Sequence, residues 1–311
     1  MGNKLEPKSG KTSLATQFES PLLIAFEKGY NAISGVKALP MQKWADFRTV
    51  LKQLRSEEAK AMYQTVIVDT CDIAYDLCEK YILNREMVDK ISDIPFGGGY
   101  ALVEKEYDEC LREIALMGYG VVLISHAEDK TFTDESGVEF NKIVPTLNKR
   151  ARKVALRMAD INGYIRNVTD QESGENKTML YMRGTPRYEA GARFKHIVPC
   201  IELSYENLVG AIADAIQKSE DLDGAVVVDT KENNHKENFV YDYDVLMKNA
   251  QETISEIMKL DDTVGDNIVS IVESNLGKNK KLSQATREQV EMVKLINDDL
   301  NELLTKIKSK K

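Results

Sequence analysis

Three short, continuous apolar runs limit the folds open to this chain more than any other feature of its sequence. They occupy residues 21–26, 65–69 and 120–125. An apolar run of this length without alternation is typical of a strand that is covered on both faces. Longer segments with helical spacing separate the runs, and strands that alternate with helices are typical of parallel sheets. The sequence therefore predicts an α/β fold around a mostly parallel sheet.

The predicted first domain covers residues 1–218. Two weaker strand patterns, at residues 160–168 and 177–183, flank a polar turn. They predict an antiparallel hairpin at the edge of the sheet. A helical pattern at residues 208–218 closes this domain.

Residues 219–241 differ in composition from the chain on either side. Six acidic residues and two lysines give this segment a local charge of −4, and we interpret it as an acidic linker. Residues 242–311 have helical spacing almost throughout and form a predicted helical module. Its last helix has one apolar stripe, made of Val293, Ile296, Leu300, Leu303 and Ile307. The stripe fits a helix that packs within the module, and it also fits a helix that docks on a partner or a second copy.

The charge balance restricts how this chain could bind nucleic acid. Lysines and arginines number 42 against 50 aspartates and glutamates, which gives a net charge of −8. A passive polyelectrolyte binder gains its affinity by neutralising phosphates, so any nucleic-acid contact here must use a local basic surface. No apolar run approaches the ~20 residues that span a bilayer, and we expect no membrane partner. The four cysteines include no C-x-x-C pair, which favours buried reduced thiols over a zinc site.

A segment with phosphate-binding chemistry directly precedes the first helical pattern. Its residues are Ser9, Gly10, Lys11, Thr12 and Ser13. Gly-Lys-Thr at the start of a helix is the second half of the phosphate-loop motif G-x-x-x-x-G-K-[ST]. In such a loop the backbone N–H groups face the phosphates, Lys11 neutralises the β- and γ-phosphates, and the Thr12 hydroxyl ligates Mg²⁺. The alternative is a chance Gly-Lys-Thr in a surface turn.

The first half of this motif is irregular. Leu5 stands where the first glycine is expected, and four residues precede that position. Leucine disfavours the positive φ that a tight loop often requires. We therefore expect a distorted or weakly binding loop, and we expect the first strand of the core to be missing or truncated in this chain.

Polar side chains at the strand ends complete a predicted nucleotide site. Asp69 ends the second run, where an aspartate holds Mg²⁺ in phosphate-loop proteins. Glu27 follows the first run and is placed to orient an attacking water, while His126 follows the third and is placed to sense the γ-phosphate. The alternatives are a solvated surface glutamate and a histidine with an ordinary backbone contact. Asp229 gives a second, weaker match to the aspartate pattern.

A basic segment near the middle of the chain is the predicted nucleic-acid surface. Residues 127–147 are predicted to form a long polar loop, and loops of this length in compact domains are often functional. The candidate DNA contacts in and after this loop are Lys142, Lys149, Arg150, Arg152 and Lys153. Such a cluster suits a DNA backbone, although a merely solvated helix face explains it as well.

Several motifs in a fixed order give the sequence its family resemblance. They are the half phosphate loop, Glu27, residues 65–70, residues 123–126, residues 143–147 with 151–153, and residues 183–193. Together they resemble the Sak-four group of phage recombination ATPases over residues 5 to 215. The resemblance implies a RecA-like P-loop NTPase core, ATP with Mg²⁺, and single-stranded DNA as a partner. It also implies cooperation with a single-strand-binding or annealing protein.

Two residue roles come from this resemblance. Glu27 matches the water-activating glutamate of the family, and His126 matches the residue that couples the γ-phosphate to the DNA-binding loop that follows. In ring or filament ATPases a cation from a neighbouring subunit stabilises the transferring phosphate. The candidates for that cation are Arg183, Arg187 and Arg193.

These observations predict a DNA-stimulated, RecA-like ATPase that acts on single-stranded DNA in phage recombination or annealing. We expect a homo-oligomer, as a ring or a filament, in the cytoplasm of a bacterial host. One alternative is a nucleotide-gated interaction module with little turnover. Another is a helicase-type motor or loader built on the same core.

Overall fold

The computed structural model describes residues 9–28, 36–169, 174–224 and 242–309. The chain divides into two compact units, Met1–Val227 and Val228–Lys311. Two positions weighed from the sequence, Leu5 and Asp229, lie outside the described residues.

A four-stranded parallel sheet forms the centre of the first unit. Its strands are β1 (Pro21–Ala25), β2 (Lys37–Pro40), β3 (Thr65–Asp69) and β4 (Gly120–Ile124), in the order β2–β1–β3–β4. The predicted α/β class is confirmed, and β1, β3 and β4 coincide with the three apolar runs. The edge strand β2 was not predicted, because its residues are mostly exposed and carry no continuous apolar signal.

The described part of the first unit contains seven α-helices. They are α1 (Lys11–Ala15), α2 (Trp44–Leu54), α3 (Glu57–Met62), α4 (Cys71–Glu86), α5 (Gly98–Leu116), α6 (Lys149–Met158) and α7 (Tyr205–Asp223). The side chains of Ser56, Asn148 and Ser204 accept backbone N–H groups at the starts of α3, α6 and α7, as N-cap residues do. Helix α7 continues through residues 219–223, so the segment predicted as the start of the acidic linker is helical.

The two central strands of the sheet, β1 and β3, are buried on both faces. Leu22, Val66 and Val68 point to one face and pack in a core with α2, α4 and α5, where Trp44 and Tyr107 are fully buried. Leu23, Ala25, Ile67 and Ile124 point to the opposite face and pack with Ala15 of α1. This two-sided burial explains why the strands are continuous apolar runs.

Antiparallel elements follow the parallel sheet. They are β5 (Ala127–Thr133), β6 (Glu139–Pro145), β7 (Ile161–Asn162), β8 (Tyr164–Thr169), β9 (Asn176–Tyr181), β10 (Gly191–Ala192) and β11 (Cys200–Glu202). The predicted hairpin is present as β8 and β9, but it pairs with β11 in a separate three-stranded sheet and does not extend the parallel sheet. The prediction of a long loop at residues 127–147 was wrong, because β5 and β6 pair along their full length as a hairpin.

The second unit is helical, as the spacing of its apolar residues predicts. It contains α8 (Tyr243–Leu260), α9 (Gly265–Leu276) and α10 (Val290–Lys308). The apolar stripe of α10 packs within this unit, where Ile296 and Leu300 lie in one core with Ile257 of α8 and Ile268 of α9. The structure therefore favours the interpretation in which the stripe completes the module's own core.

Across the described ranges, no helix combines the length and the apolar character needed to cross a membrane. All four cysteines are free, with Cys71, Cys78 and Cys110 buried and Cys200 half-buried. Burial raises the pKa of each of these thiols above the usual value, which keeps them protonated and unreactive.

Candidate nucleotide site

The turn before α1 sets the position of the predicted phosphate-binding residues. Gly10 has a φ of 80°, a left-handed conformation that glycine adopts without strain. A Cβ atom at this position would also approach the Leu203 side chain to 3.1 Å. Helix α1 then begins at Lys11, and its buried Ala15 fixes the helix against the sheet. Ser9 is half-buried before the turn, whereas Ser13 is exposed on α1.

The register of the parallel strands brings the strand ends together. Ala25, Asp69 and Ile124 are aligned across β1, β3 and β4. Beyond the end of β1, the Glu27 N–H donates a hydrogen bond to the carbonyl oxygen of Asp69, at 3.3 Å. The carboxyl ends of parallel strands are where ligands of open α/β sheets bind. The predicted strand-end residues therefore share one edge of the sheet.

Thr12 and Asp69 form the closest contact of this site. The Thr12 hydroxyl donates a hydrogen bond to Oδ2 of Asp69 at 2.8 Å. Mg²⁺ binds oxygen ligands at 2.0–2.1 Å in octahedral geometry, so two adjacent ligands lie about 2.9 Å apart. The spacing of the two oxygens fits neighbouring positions around one Mg²⁺. In the described chain no group of three or more His, Cys, Asp or Glu side chains could hold a metal.

Lys11 forms no hydrogen-bonded ion pair in the described chain, although the charges of three carboxylates act on it. Burial lowers the pKa of Lys11, and the negative charges of Asp72, Asp69 and Glu27 act in the opposite direction. Burial also raises the pKa of Asp69, with the Thr12 hydrogen bond opposing the rise and the Glu27 charge adding to it. Three carboxylates against one lysine leave excess negative charge, and this environment favours a divalent cation.

Glu27 and His126 contact each other at the same edge. Nε2 of His126 lies 2.9 Å from Oε2 of Glu27, and both side chains are a little under half exposed. Glu27 is therefore within reach of solvent and is held by a neighbour from a different strand end. Lys11, Thr12, Asp69, Glu27 and His126 come from four separate parts of the sequence and lie around one space.

Comparison with known proteins identifies the core that carries this site. The family model described as an AAA domain matches residues 6–194, which is more than half of the chain. The chain belongs to the AAA-domain family. Apart from Asp229, this AAA domain contains every residue singled out above for nucleotide, Mg²⁺ or DNA contact. Membership of this P-loop NTPase superfamily implies nucleotide binding, typically with Mg²⁺.

A curated relative extends the likeness beyond the AAA domain. The chain is 34% identical over 305 residues to the SPbeta prophage-derived uncharacterized protein YorG of Bacillus subtilis (strain 168). The aligned region covers 95% of this chain and 90% of that protein. The similarity therefore includes the helical second unit.

The sequence analysis did not identify two polar residues of the AAA domain, Asp72 and Thr146, as candidate site residues. Asp72 lies in the first turn of α4, and its Oδ2 accepts hydrogen bonds from the His126 N–H, at 3.2 Å, and from the Thr146 hydroxyl. Thr146 lies in one of the motifs of the family resemblance, but no role was inferred for it. The available signal was an aspartate three positions after Asp69, since a residue in the first turn after a strand end faces the same sheet edge.

Most of the predicted DNA-binding cations are paired with acidic side chains. Arg150 and Lys153 both contact Glu104, at 2.7 and 3.1 Å, and Arg152 pairs with Glu189. Lys149 is exposed and forms no ion pair within the described chain. The positive charges of the basic residues on α6 are thus largely neutralised, which the sequence alone could not indicate.

Lys142 belongs to a different surface. It lies on β6 directly opposite Lys130 on β5, and the next same-face pair toward the hairpin tip is Phe132 with Phe140. The two rings stack with centroids 6.0 Å apart and planes at 27°. We call Lys130, Phe132, Phe140 and Lys142 the hairpin face. Sequence analysis missed three of these four residues, because their alternation becomes apparent only when the segment is treated as paired strands.

The three arginines considered as trans-acting cations have different environments. Arg183 donates hydrogen bonds to the carbonyl oxygens of Ala192, Phe194 and Lys195, at 2.6–3.1 Å. Arg193 pairs with Asp160 at 2.9 Å. Arg187 is exposed, and its guanidinium has no hydrogen-bond or ion-pair partner in the described residues. Arg187 is therefore the one of these three arginines whose guanidinium is unpaired among the described residues.

Proposed function

We propose that this protein is an ATP-hydrolysing enzyme that acts on single-stranded DNA in phage recombination or annealing. The observation that supports it most is the convergence of Lys11, Thr12, Asp69 and Glu27 beside the base of the β5–β6 hairpin. A phosphate site and a candidate DNA surface are then joined through one residue, His126. The prophage origin of the relative is compatible with this role.

Each residue of the nucleotide site has a distinct part in the proposal. Gly10 and Lys11 hold the phosphates, and Thr12 with Asp69 holds Mg²⁺. Bound ATP with Mg²⁺ supplies the phosphoryl group that is transferred to water. Glu27 orients the water and accepts its proton, while His126 fixes the Glu27 carboxylate through its Nε2 contact.

The hairpin face is the proposed contact for single-stranded DNA. Two lysines directly opposite each other on a strand pair repel, which costs stability in the absence of an anion. A phosphate backbone relieves this repulsion, and the adjacent Phe132 and Phe140 rings offer surfaces for base stacking. Phe140 is 36% exposed, so bases have access to its ring. The proposal thus assigns to this hairpin the DNA contact that the family resemblance implies.

Assembly is the third part of the proposal. An exposed, unpaired Arg187 supports a homo-oligomer, a ring or a filament, in which one subunit completes the nucleotide site of the next. A single-strand-binding or annealing protein as a further partner follows from the family resemblance alone.

Phosphate release measured with and without single-stranded DNA tests this function. We expect DNA to accelerate release, Lys11→Ala to abolish nucleotide binding, and Glu27→Gln to slow hydrolysis by about 10²–10⁴-fold while leaving binding intact. The matched controls are Lys52→Ala and Glu19→Gln, which alter exposed residues away from the site and should behave as the wild type.

Other outcomes of these assays would replace the proposed function. Nucleotide binding without measurable phosphate release would identify a nucleotide-gated module. Processive unwinding of a duplex would identify a motor. Hydrolysis that survives both Lys11→Ala and Glu27→Gln would remove this site from the reaction.

A further inference from the structure

The carboxylate of Asp72 forms hydrogen bonds at the base of the β5–β6 hairpin. Oδ2 of Asp72 accepts a hydrogen bond from the His126 N–H, directly before β5, and another from the Thr146 hydroxyl, directly after β6. The Thr146 N–H in turn donates to the carbonyl oxygen of His126 at 3.0 Å. The side chain of Asp72 therefore links both strands of the hairpin to the first turn of α4 by hydrogen bonds.

The same carboxylate is also linked to the candidate nucleotide site, because it accepts a hydrogen bond from His126, whose Nε2 lies 2.9 Å from Oε2 of Glu27. Its second oxygen, Oδ1, is buried and has no hydrogen-bond partner among the described residues. A buried carboxylate oxygen without a partner is costly, and a nearby positive charge reduces the cost. Among the carboxylates that act on Lys11, Asp72 has the largest effect. Asp72 therefore contacts the hairpin base directly, and its negative charge acts on the phosphate-binding lysine.

We propose that Asp72 is a positioning residue that couples phosphate binding at Lys11 to the position of the β5–β6 hairpin. This inference rests on the proposed function, because it assumes a triphosphate at Lys11 and DNA on the hairpin. When a phosphate takes up the charge of Lys11, the hydrogen bonds from His126 and Thr146 are the compensation that remains for the buried Asp72 carboxylate, so breaking them costs more than it does without nucleotide. The nucleotide thus favours the conformation in which Asp72 accepts hydrogen bonds from both ends of the hairpin, as any ligand favours the state that it binds better. By linkage, DNA on the hairpin raises the affinity for the nucleotide by the same factor.

Thr146 offers the cleanest test, because its hydroxyl contacts Asp72 and is not one of the proposed phosphate or Mg²⁺ ligands. The measured quantity is the ratio of the Kd values for a non-hydrolysable ATP analogue without and with an oligo(dT) strand. We expect a ratio of about 5 to 150 for the wild type. Thr146→Val removes the hydroxyl and should bring the ratio close to one while changing the Kd without DNA by less than about twofold.

Two further variants separate coupling from general damage. Thr146→Ser restores a hydroxyl and should restore the ratio. Thr133→Val makes the same change at an exposed position near the hairpin tip, away from Asp72, and should keep the wild-type ratio. Asp72→Asn retains the acceptor atom but loses the charge, so it should also lower the ratio, and it provides the test if Thr146→Val fails to fold.

Hydrogen exchange of the amides in residues 127–145 gives an independent readout. In the wild type the ATP analogue should slow exchange in this segment, and in Thr146→Val it should not. A purely structural contact would change exchange equally with and without nucleotide. If the wild type couples the two ligands and both Thr146→Val and Asp72→Asn retain its ratio, the inference is wrong and the proposed function stands. If the wild type shows a ratio of one, the inference is wrong, and the proposed function is still decided by phosphate release with and without DNA. If the wild type binds no nucleotide, both fail.

Discussion

The hydroxyl group of Thr12 lies 2.8 Å from Oδ2 of Asp69, although 57 positions separate the two residues in the chain. Thr12 belongs to α1 and Asp69 ends β3, so the contact exists only when the helix is packed on the sheet. Packing also takes Asp69 partly out of water, and this burial raises the pKa of its carboxyl group. The site therefore carries a charge that the folded chain holds at a cost.

Asp69→Asn should stabilise the nucleotide-free protein at neutral pH. Because burial raises the pKa of Asp69, the folded chain binds a proton there more tightly than the unfolded chain does. The ionised carboxylate thus destabilises the fold once the pH exceeds the folded-state pKa, and asparagine removes this cost while still accepting the Thr12 hydrogen bond. Below the ordinary aspartate pKa of about 4, both residues are neutral and the difference should disappear.

Denaturant unfolding of the two proteins at pH 7 and below about pH 4 measures this difference. The control is Asp129→Asn, which changes an exposed aspartate on β5 and should leave stability nearly the same at both pH values. A destabilised Asp69→Asn at pH 7 would contradict the predicted cost of the buried charge. The same substitution should weaken Mg²⁺-dependent nucleotide binding, so stability and function would change in opposite directions.

Lys142→Gln should stabilise the free protein and weaken its binding to single-stranded DNA. Removing one of two directly opposed lysines relieves a repulsion of roughly 0.2–1 kcal/mol between strand neighbours. The slope of log Kd against log salt concentration should fall by about 0.7 for the lost phosphate contact. Fluorescence anisotropy with oligo(dT) at several salt concentrations provides the slope, and thermal unfolding provides the stability.

Phe132→Ala separates stacking from charge on the same hairpin face. It should weaken DNA binding by about 1–3 kcal/mol without changing the salt slope. Lys52→Gln, which removes the charge of an exposed lysine on α2, is the matched control for Lys142→Gln. An unchanged affinity in both hairpin variants would move the DNA contact to another surface.

The parts of the fold that could be predicted from sequence are those in which one residue pattern has one structural cause. β1 and β3 are buried on both faces and β4 is half-buried, so burial accounts for their apolar runs. β2 is an exposed edge strand, and its pairing with β1 depends on backbone hydrogen bonds that leave no pattern in the side chains. The same reason hides the β5–β6 hairpin, whose residues are mostly polar or exposed.

The residues of the candidate site also fall into two groups, those that a sequence pattern could predict and those that only the folded structure reveals. Lys11, Asp69, Glu27 and His126 could be proposed because a motif or a strand end fixes their place. Asp72 could not, since its importance depends on contacts with His126 and Thr146, which are 54 and 74 positions away. The same holds for the charge of α6. Its basic residues form ion pairs with Glu104 and Glu189, which are distant in sequence, so the sequence alone could not show that they are neutralised.

Leu111→Ala should destabilise the first unit by about 2–5 kcal/mol, because the truncation leaves a cavity in a close-packed core. Leu111 is fully buried in the core that also contains Trp44. Trp44 is the single tryptophan of the chain, so its fluorescence reports unfolding of this unit. Leu116→Ala, at a position that is 80% exposed, is the control and should change the midpoint little. Equal midpoints for the two variants would contradict the packing described here.

Arg187 should act on the nucleotide site of a neighbouring subunit. Its guanidinium has no partner within the described chain, and a cation supplied in trans contributes about 10³–10⁵-fold to phosphoryl transfer. Arg187→Ala should therefore reduce DNA-stimulated hydrolysis by at least about 10³-fold without weakening nucleotide binding. Arg166→Ala, an exposed arginine on β8, is the control and should retain activity.

Mixing two inactive variants decides whether Arg187 acts in trans. Arg187→Ala subunits keep Glu27, and Glu27→Gln subunits keep Arg187, so a mixed assembly contains interfaces in which both residues are present. For random assembly of equal amounts, about one quarter of the head-to-tail interfaces are of this kind, and activity should recover to a similar fraction of the wild type. If Arg187 acts within its own subunit, every subunit in the mixture lacks one of the two residues, and the mixture stays as inactive as its components.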